Sequence, residues 1–206
     1  EGRVVMILEN NRIKLQFSET GSLISFIIKD LEHDLITDTR LSSSFRMLVP
    51  MDDYLCNYVD GNKQKPKVSM DNNMVTFTYN GLISDKGYLD INFISQVVLE
   101  GNTITFHSKT QNHSALQIAE IWYPIIGGIN DFCGSRSAKL QIPENNISEI
   151  EIFKSFPGGM PLGGEAAEFY KTYPGMSMPW INLKDNDNSL YMGYHDSSFR
   201  FSMLLF

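Results

Sequence analysis

Hydrophobic and polar residues alternate one by one along much of this chain. In "RIKLQF", Ile13, Leu15 and Phe17 fall on one side, and Arg12, Lys14 and Gln16 on the other. "MVTFTY" sets Val75, Phe77 and Tyr79 on one face, and "YLDINF" does the same with Leu89, Ile91 and Phe93. Side chains of a strand point alternately to its two faces, so each segment predicts a half-buried strand. "VVLEGNTITFHS" predicts a hairpin, because Gly101-Asn102 suits a tight primed turn. Further strands are predicted at "RVVMIL", "LISFII", "FRMLV", "KLQI", "LYMGY" and "FRFSMLL", punctuated by the turn clusters "ENN", "SETGS" and "MDNN". A helical period is hard to find. The one stretch that predicts helix is "GEAAEFYK", 164–171, after the irregular loop "FPGGMPLGG". With no repeat, linker or break in composition, the expectation is one all-β domain over 1–206. It is a large antiparallel two-sheet β-sandwich, with more strands than an immunoglobulin-like fold.

The C-terminal third predicts one pairing in detail. If "MPWINL" and "LYMGY" form a hairpin closed by "KDNDNS", then Leu183 pairs with Leu190, Ile181 with Met192 and Trp180 with Gly193. Ile181, Leu183, Leu190, Met192 and Tyr194 then share an apolar, core-directed face. Met178, Trp180, Asn182, Tyr191 and His195 share the other, and Gly193 leaves room for the indole.

Composition narrows the function classes. Of 206 residues, 42% are hydrophobic and 20% charged, as in a soluble globular protein. The net charge of -7 argues against a nucleic-acid partner. No apolar run reaches the roughly 18 residues of a transmembrane segment; the longest, "IAEIWYPIIGGI", is broken by Glu120, Pro124 and two glycines. The first residue is Glu and the chain stops in the apolar run "FSMLLF", so a processed chain or a piece of a longer protein is expected. Cys56 and Cys133 have no metal spacing. They read as two buried free thiols, or as a disulfide in an oxidising compartment. His33, His107, His113 and His195 are scattered, and nothing points to a metal or a cofactor.

Catalytic motifs are sparse. The glycine loop lacks GK[ST] and a βαβ context, and there is no GxSxG; "CGSRS" reads as a turn. Glycoside cleavage needs two carboxylates across a sugar ring. Glu120, Asp131, Glu165, Glu168 and Asp196 are candidates, each of which also reads as an ordinary solvated acid. Aromatic rings beside polar groups are more informative: Trp122, Tyr123, Tyr170, Tyr173, Trp180, Tyr191 and Tyr194. An amphipathic ring suits the face of a sugar, although most rings of a sandwich pack its core.

Three segments in order, "FHSKTQNHSALQIAEIWYPIIGGI", "YPGMSMPWINL" and "SLYMGYHD", resemble the N-terminal β-sandwich of large bacterial glycoside-hydrolase-like proteins. That sandwich is of the galactose mutarotase-like supersandwich type and precedes a TIM barrel. The resemblance is most specific over 173–196, with Asn112 and "WYPIIGGI" as further anchors. It implies an exported protein, periplasmic or at the cell surface, acting on glycans in polysaccharide metabolism. The partner would be a downstream catalytic domain carrying the catalytic acids. This domain would be non-catalytic, supporting the barrel and contacting oligosaccharide. Trp180, Asn182, Tyr191, His195 and Asp196 are the candidates for substrate contact or domain docking. Two alternatives stand beside this reading: an autonomous carbohydrate-binding module, and an aldose 1-epimerase. Epimerases follow the Asn-bearing strand with a His-Tyr-Phe-type segment, whereas here "EIWYP" carries no His.

Overall fold

The structure, a computed structural model, describes residues 4–144, 146–155, 170–173, 178–195 and 202–205. It is all-β, and every strand pairing in it is antiparallel. The chain divides into two compact units, 1–129 and 130–206.

In the first unit, β1 (Val4–Glu9), β2 (Ile13–Ser18), β3 (Leu23–Ile28) and β4 (His33–Asp34) form a four-stranded sheet in chain order. The second sheet holds β5 (Arg46–Leu48), β6 (Tyr58–Asp60), β7 (Lys67–Asp71), β8 (Met74–Ser84), β9 (Gly87–Glu100), β10 (Thr103–Asn112) and β11 (Glu120–Trp122). Its order is β10-β9-β8-β6-β5-β11, with β7 also on β8. The alternating segments behave as predicted. Ile13, Leu15 and Phe17 are buried, as are Val75, Phe77 and Tyr79, and Leu89, Ile91 and Phe93.

Aromatic contacts build the core between these sheets. The Phe17 ring on β2 lies 5.4 Å from Phe77 on β8. Phe45 packs 4.3 Å from Phe93 and edge-on to Tyr79 at 4.9 Å. Burying each such apolar side chain stabilises by about 1.5–3 kcal/mol. Tyr79 is buried apart from its hydroxyl bond, donated to the Thr20 carbonyl at 2.8 Å, and burial pushes its phenol well up.

Of "WYPIIGGI" only Trp122 is strand, the last residue of β11, which pairs with β5. Beyond it the chain is held by close backbone approach rather than by a ladder. A Cβ on Gly127 would collide with the Leu41 carbonyl, and one on Gly128, at φ +85°, with that of Asp38. The Gly128 carbonyl accepts from the amides of Thr37 and Asp38 at 3.0 and 3.2 Å.

In the second unit, β12 (Lys139–Pro143), β13 (Ile147–Ile150), β15 (Trp180–Lys184) and β16 (Ser189–Gly193) form a sheet ordered β13-β12-β15-β16. The short α1 (Ile152–Ser155) follows β13, and β14 (Tyr170–Tyr173) pairs with β17 (Ser202–Leu205). The helix expected over 164–171 is corrected at its end. Residues 164–169, like the loop before them, lie outside the described residues, but Tyr170 and Lys171 are strand, opposite Leu205 and Leu204. Two turns of isolated helix are too short to hold themselves, and a ladder partner decides the conformation. Among the described residues, the remaining helical pieces are short 3-10 turns, and no helix is long and apolar enough to cross a membrane. Both cysteines are free thiols, but Cys56 is exposed and Cys133 half-buried, so neither is the fully buried thiol expected.

Candidate functional site

The tail hairpin has the predicted register: Leu183 opposite Leu190, Ile181 opposite Met192, Trp180 opposite Gly193. Its loop is fixed by Asp185, whose Oδ1 accepts from the amides of Asp187 and Asn188 at 2.9 and 2.7 Å. Desolvation pushes that carboxyl upward, but the amides win and hold it below the ordinary range. Ile181 and Leu183 are buried, and the adjoining β12 adds buried Leu140 and Ile142. Tyr194 departs from the expectation of an inward apolar side chain: it lies just past β16 and is 39% exposed.

The opposite face carries a ladder of rings. Trp180 and Tyr191 have centroids 6.0 Å apart and planes tilted by 34°. Tyr191 and His195 follow at 6.3 Å and 32°. Tyr191 is 54% exposed, His195 is exposed and Trp180 is half-buried; Met178 beside them is 59% exposed. Gly193 leaves room for the rings beside it. A Cβ there would lie 2.5 Å from the Tyr191 hydroxyl and 2.8 Å from His195 Nε2. The rings of Tyr191 and His195 thus lean across the glycine.

A polar row abuts the ladder. Register places Glu149, Gln141, Asn182 and Tyr191 side by side across the four strands. Asn182 Nδ2 donates to Gln141 Oε1 at 2.9 Å, Gln141 Nε2 to Glu149 Oε1 at 2.9 Å, and Lys139 Nζ to Glu149 Oε2 at 2.9 Å. The bond from Lys139, and then that from Gln141, hold the Glu149 carboxyl below the usual range. Asn182 Oδ1 is buried and accepts no hydrogen bond.

The structure therefore brings together Trp180, Asn182, Tyr191 and His195; Asp196 lies outside the described residues. Sequence reasoning missed Lys139, Gln141 and Glu149. Alternation in "KLQI" sets Gln141 opposite in face to Leu140 and Ile142, but nothing local says that this strand neighbours one some forty residues later.

Other sequence candidates scatter. Trp122 and Tyr123 separate: Tyr123 points inward, its hydroxyl 2.8 Å from Ser95 Oγ and its phenol pushed up to about 12 by burial. Trp122 stays 37% exposed, donating to Glu120 Oε2 at 3.0 Å. Arg46 lies between two rings, its guanidinium 3.9 Å from Tyr58 and 5.2 Å from Trp122. Asp131 accepts from the Gly134 amide at 2.9 Å, in the predicted "CGSRS" turn. Asn112 closes a loop, accepting from the amide and hydroxyl of Ser114 and donating to the Leu116 carbonyl at 2.7 Å. Glu165 and Glu168 lie outside the described residues. Among the described residues, no group of three or more His, Cys, Asp or Glu could hold a metal ion. The sequence matches no protein-family model and no curated protein.

Proposed function

We propose that this chain is a non-catalytic, glycan-contacting β-sandwich domain of a larger carbohydrate-active protein. In that reading the domain works in the periplasm or at the cell surface and supports a downstream catalytic barrel. The observation that carries it is the exposed ladder of Trp180, Tyr191 and His195 beside the row Asn182, Gln141 and Glu149. A pyranose offers an apolar C–H face ringed by hydroxyls. Amphipathic rings fit the face, and amide and carboxylate groups fit the rim. A flat strand face lets several sugar units lie in register with successive rings.

Titration of the 206-residue chain with soluble oligosaccharides of glucose, galactose and mannose tests this. Saturable binding to at least one is expected. Trp180→Ala and Tyr191→Ala should each weaken it by roughly tenfold, about the worth of one ring contact. No saturable binding, or binding indifferent to both substitutions, would refute the reading.

A further inference from the structure

β10 ends its sheet, and among the described residues no strand pairs with its outer edge. Its pairing with β9 closes at Glu100 and Thr103 around two residues, with Gly101 at φ +58° as a primed turn requires. In a two-residue hairpin the closing pair exchanges both hydrogen bonds, and bonded pairs then recur at every second residue. Thr103, Thr105, His107, Lys109 and Gln111 therefore bond to β9. The His113 amide, which donates to the Asp90 carbonyl at 2.9 Å, keeps the same phase. Ile104, Phe106, Ser108 and Thr110 turn their N–H and C=O groups outward. Among the described residues nothing pairs with them.

Natural edges are usually blunted by bulges, prolines, charges or short length. β10 runs ten residues with unbroken register, no proline and a single charged side chain, Lys109. Other edge strands are shorter: β11 has three residues, β4 two, β13 four and β16 five.

We infer that β10 is the contact by which two copies of this chain pair, antiparallel, into one continuous sheet. The strand is complementary to itself. A two-fold axis at His107 sets Ile104 against Thr110 and Phe106 against Ser108; an axis at Ser108 sets Phe106 against Thr110. Either choice keeps the half-buried Ile104 and Phe106 on one common face, and neither places Lys109 opposite itself. The pairing is isologous, so it closes at two copies rather than growing into a fibre. A strand-to-strand contact alone falls short of the roughly 1,200 Å² of a stable interface, so the dimer is weak. Each copy carries -7, so added salt strengthens it. This inference does not rest on the glycan reading.

Sedimentation of the 206-residue chain over a wide concentration range should show a monomer–dimer equilibrium that shifts to dimer with salt. Amide exchange of Ile104, Phe106, Ser108 and Thr110 should slow as concentration rises. Ser108→Pro removes an outward donor that β9 does not use, so the monomer should fold while association weakens roughly tenfold or more. A monomer at every concentration overturns the inference. So does a dimer whose four outward amides stay unprotected, or one that Ser108→Pro leaves intact. Should Ser108→Pro fail to fold, the wild-type exchange pattern alone decides.

Discussion

Trp180 and Leu183 lie three residues apart on β15, and replacing each by alanine should have very different costs. Leu183 is 4% exposed, between the register partners Leu140 and Leu190. Truncation there removes buried methyl groups and leaves a void, a loss of about 2–5 kcal/mol. Trp180 points the other way. A tryptophan truncated in a sealed core costs about 3–5 kcal/mol, but this one is half-buried and open to water, so no closed cavity forms. What remains is the ring pair with Tyr191 at 6.0 Å, worth about 0.5–1.5 kcal/mol, and part of the ring's burial. The expected loss is about 1–2 kcal/mol. Urea unfolding followed by far-ultraviolet circular dichroism gives both values from midpoint shifts at constant slope. A loss of 3 kcal/mol or more for Trp180→Ala, or under 1 kcal/mol for Leu183→Ala, would mean the two faces have been assigned the wrong way round.

Asp38 gives a pH prediction. Its bonds from the Arg40 side chain, and then the Arg40 amide, lower its carboxyl from 3.8 to about 2. A depressed folded value means the contribution is complete above pH 3.8 and disappears as pH falls through about 2. Arg40 lies in solvent, so the effect is small. The melting temperature of Asp38→Asn should fall less steeply than that of wild type across that window, and equal slopes would count against the pairing. The two thiols should also differ in reactivity. Burial, and then the charges of Asp185 and Asp131, push the half-buried Cys133 thiol up, away from the reactive thiolate. A thiol-specific chromogenic reagent should label exposed Cys56 first, and Cys56→Ser should remove the fast phase. A surviving fast phase would contradict this.

Sequence made most of this legible wherever one strand face is strongly apolar. β9 and the β15–β16 hairpin follow the alternation residue by residue, as do β2 up to Phe17 and β8 up to its bulge after Asn80, because a slip of one would expose the whole hydrophobic set. β7 and β13 were missed for the converse reason. "KVSMD" and "ISEI" leave most of their residues exposed or half-exposed, so their sequences carry little burial signal and their partners define them. "WYPIIGGI" misled in the opposite direction. It is apolar yet mostly outside the ladders, since its glycines serve close approach to 37–41. At the candidate site, the ladder residues were visible because one local hairpin presents them. Gln141 and Glu149 join them only through a pairing that spans a long stretch of chain.

The turns that separate β7, β8, β9 and β10 each leave two residues between paired ends: Asp71 to Met74, Ser84 to Gly87, and Glu100 to Thr103. β11, by contrast, reaches its partner β5 only by bringing Glu120 to Leu48. Closing a loop costs more entropy as it lengthens, and contacts between near neighbours in sequence form soonest. The four-strand meander, like the β1–β4 sheet, can therefore be assembled by an emerging or refolding chain from local encounters alone. It also supplies the inward row of Val75, Phe77, Tyr79, Ile91 and Phe93. The β6–β8 and β5–β11 pairings, which join segments far apart in the chain, carry the larger loop-closure cost.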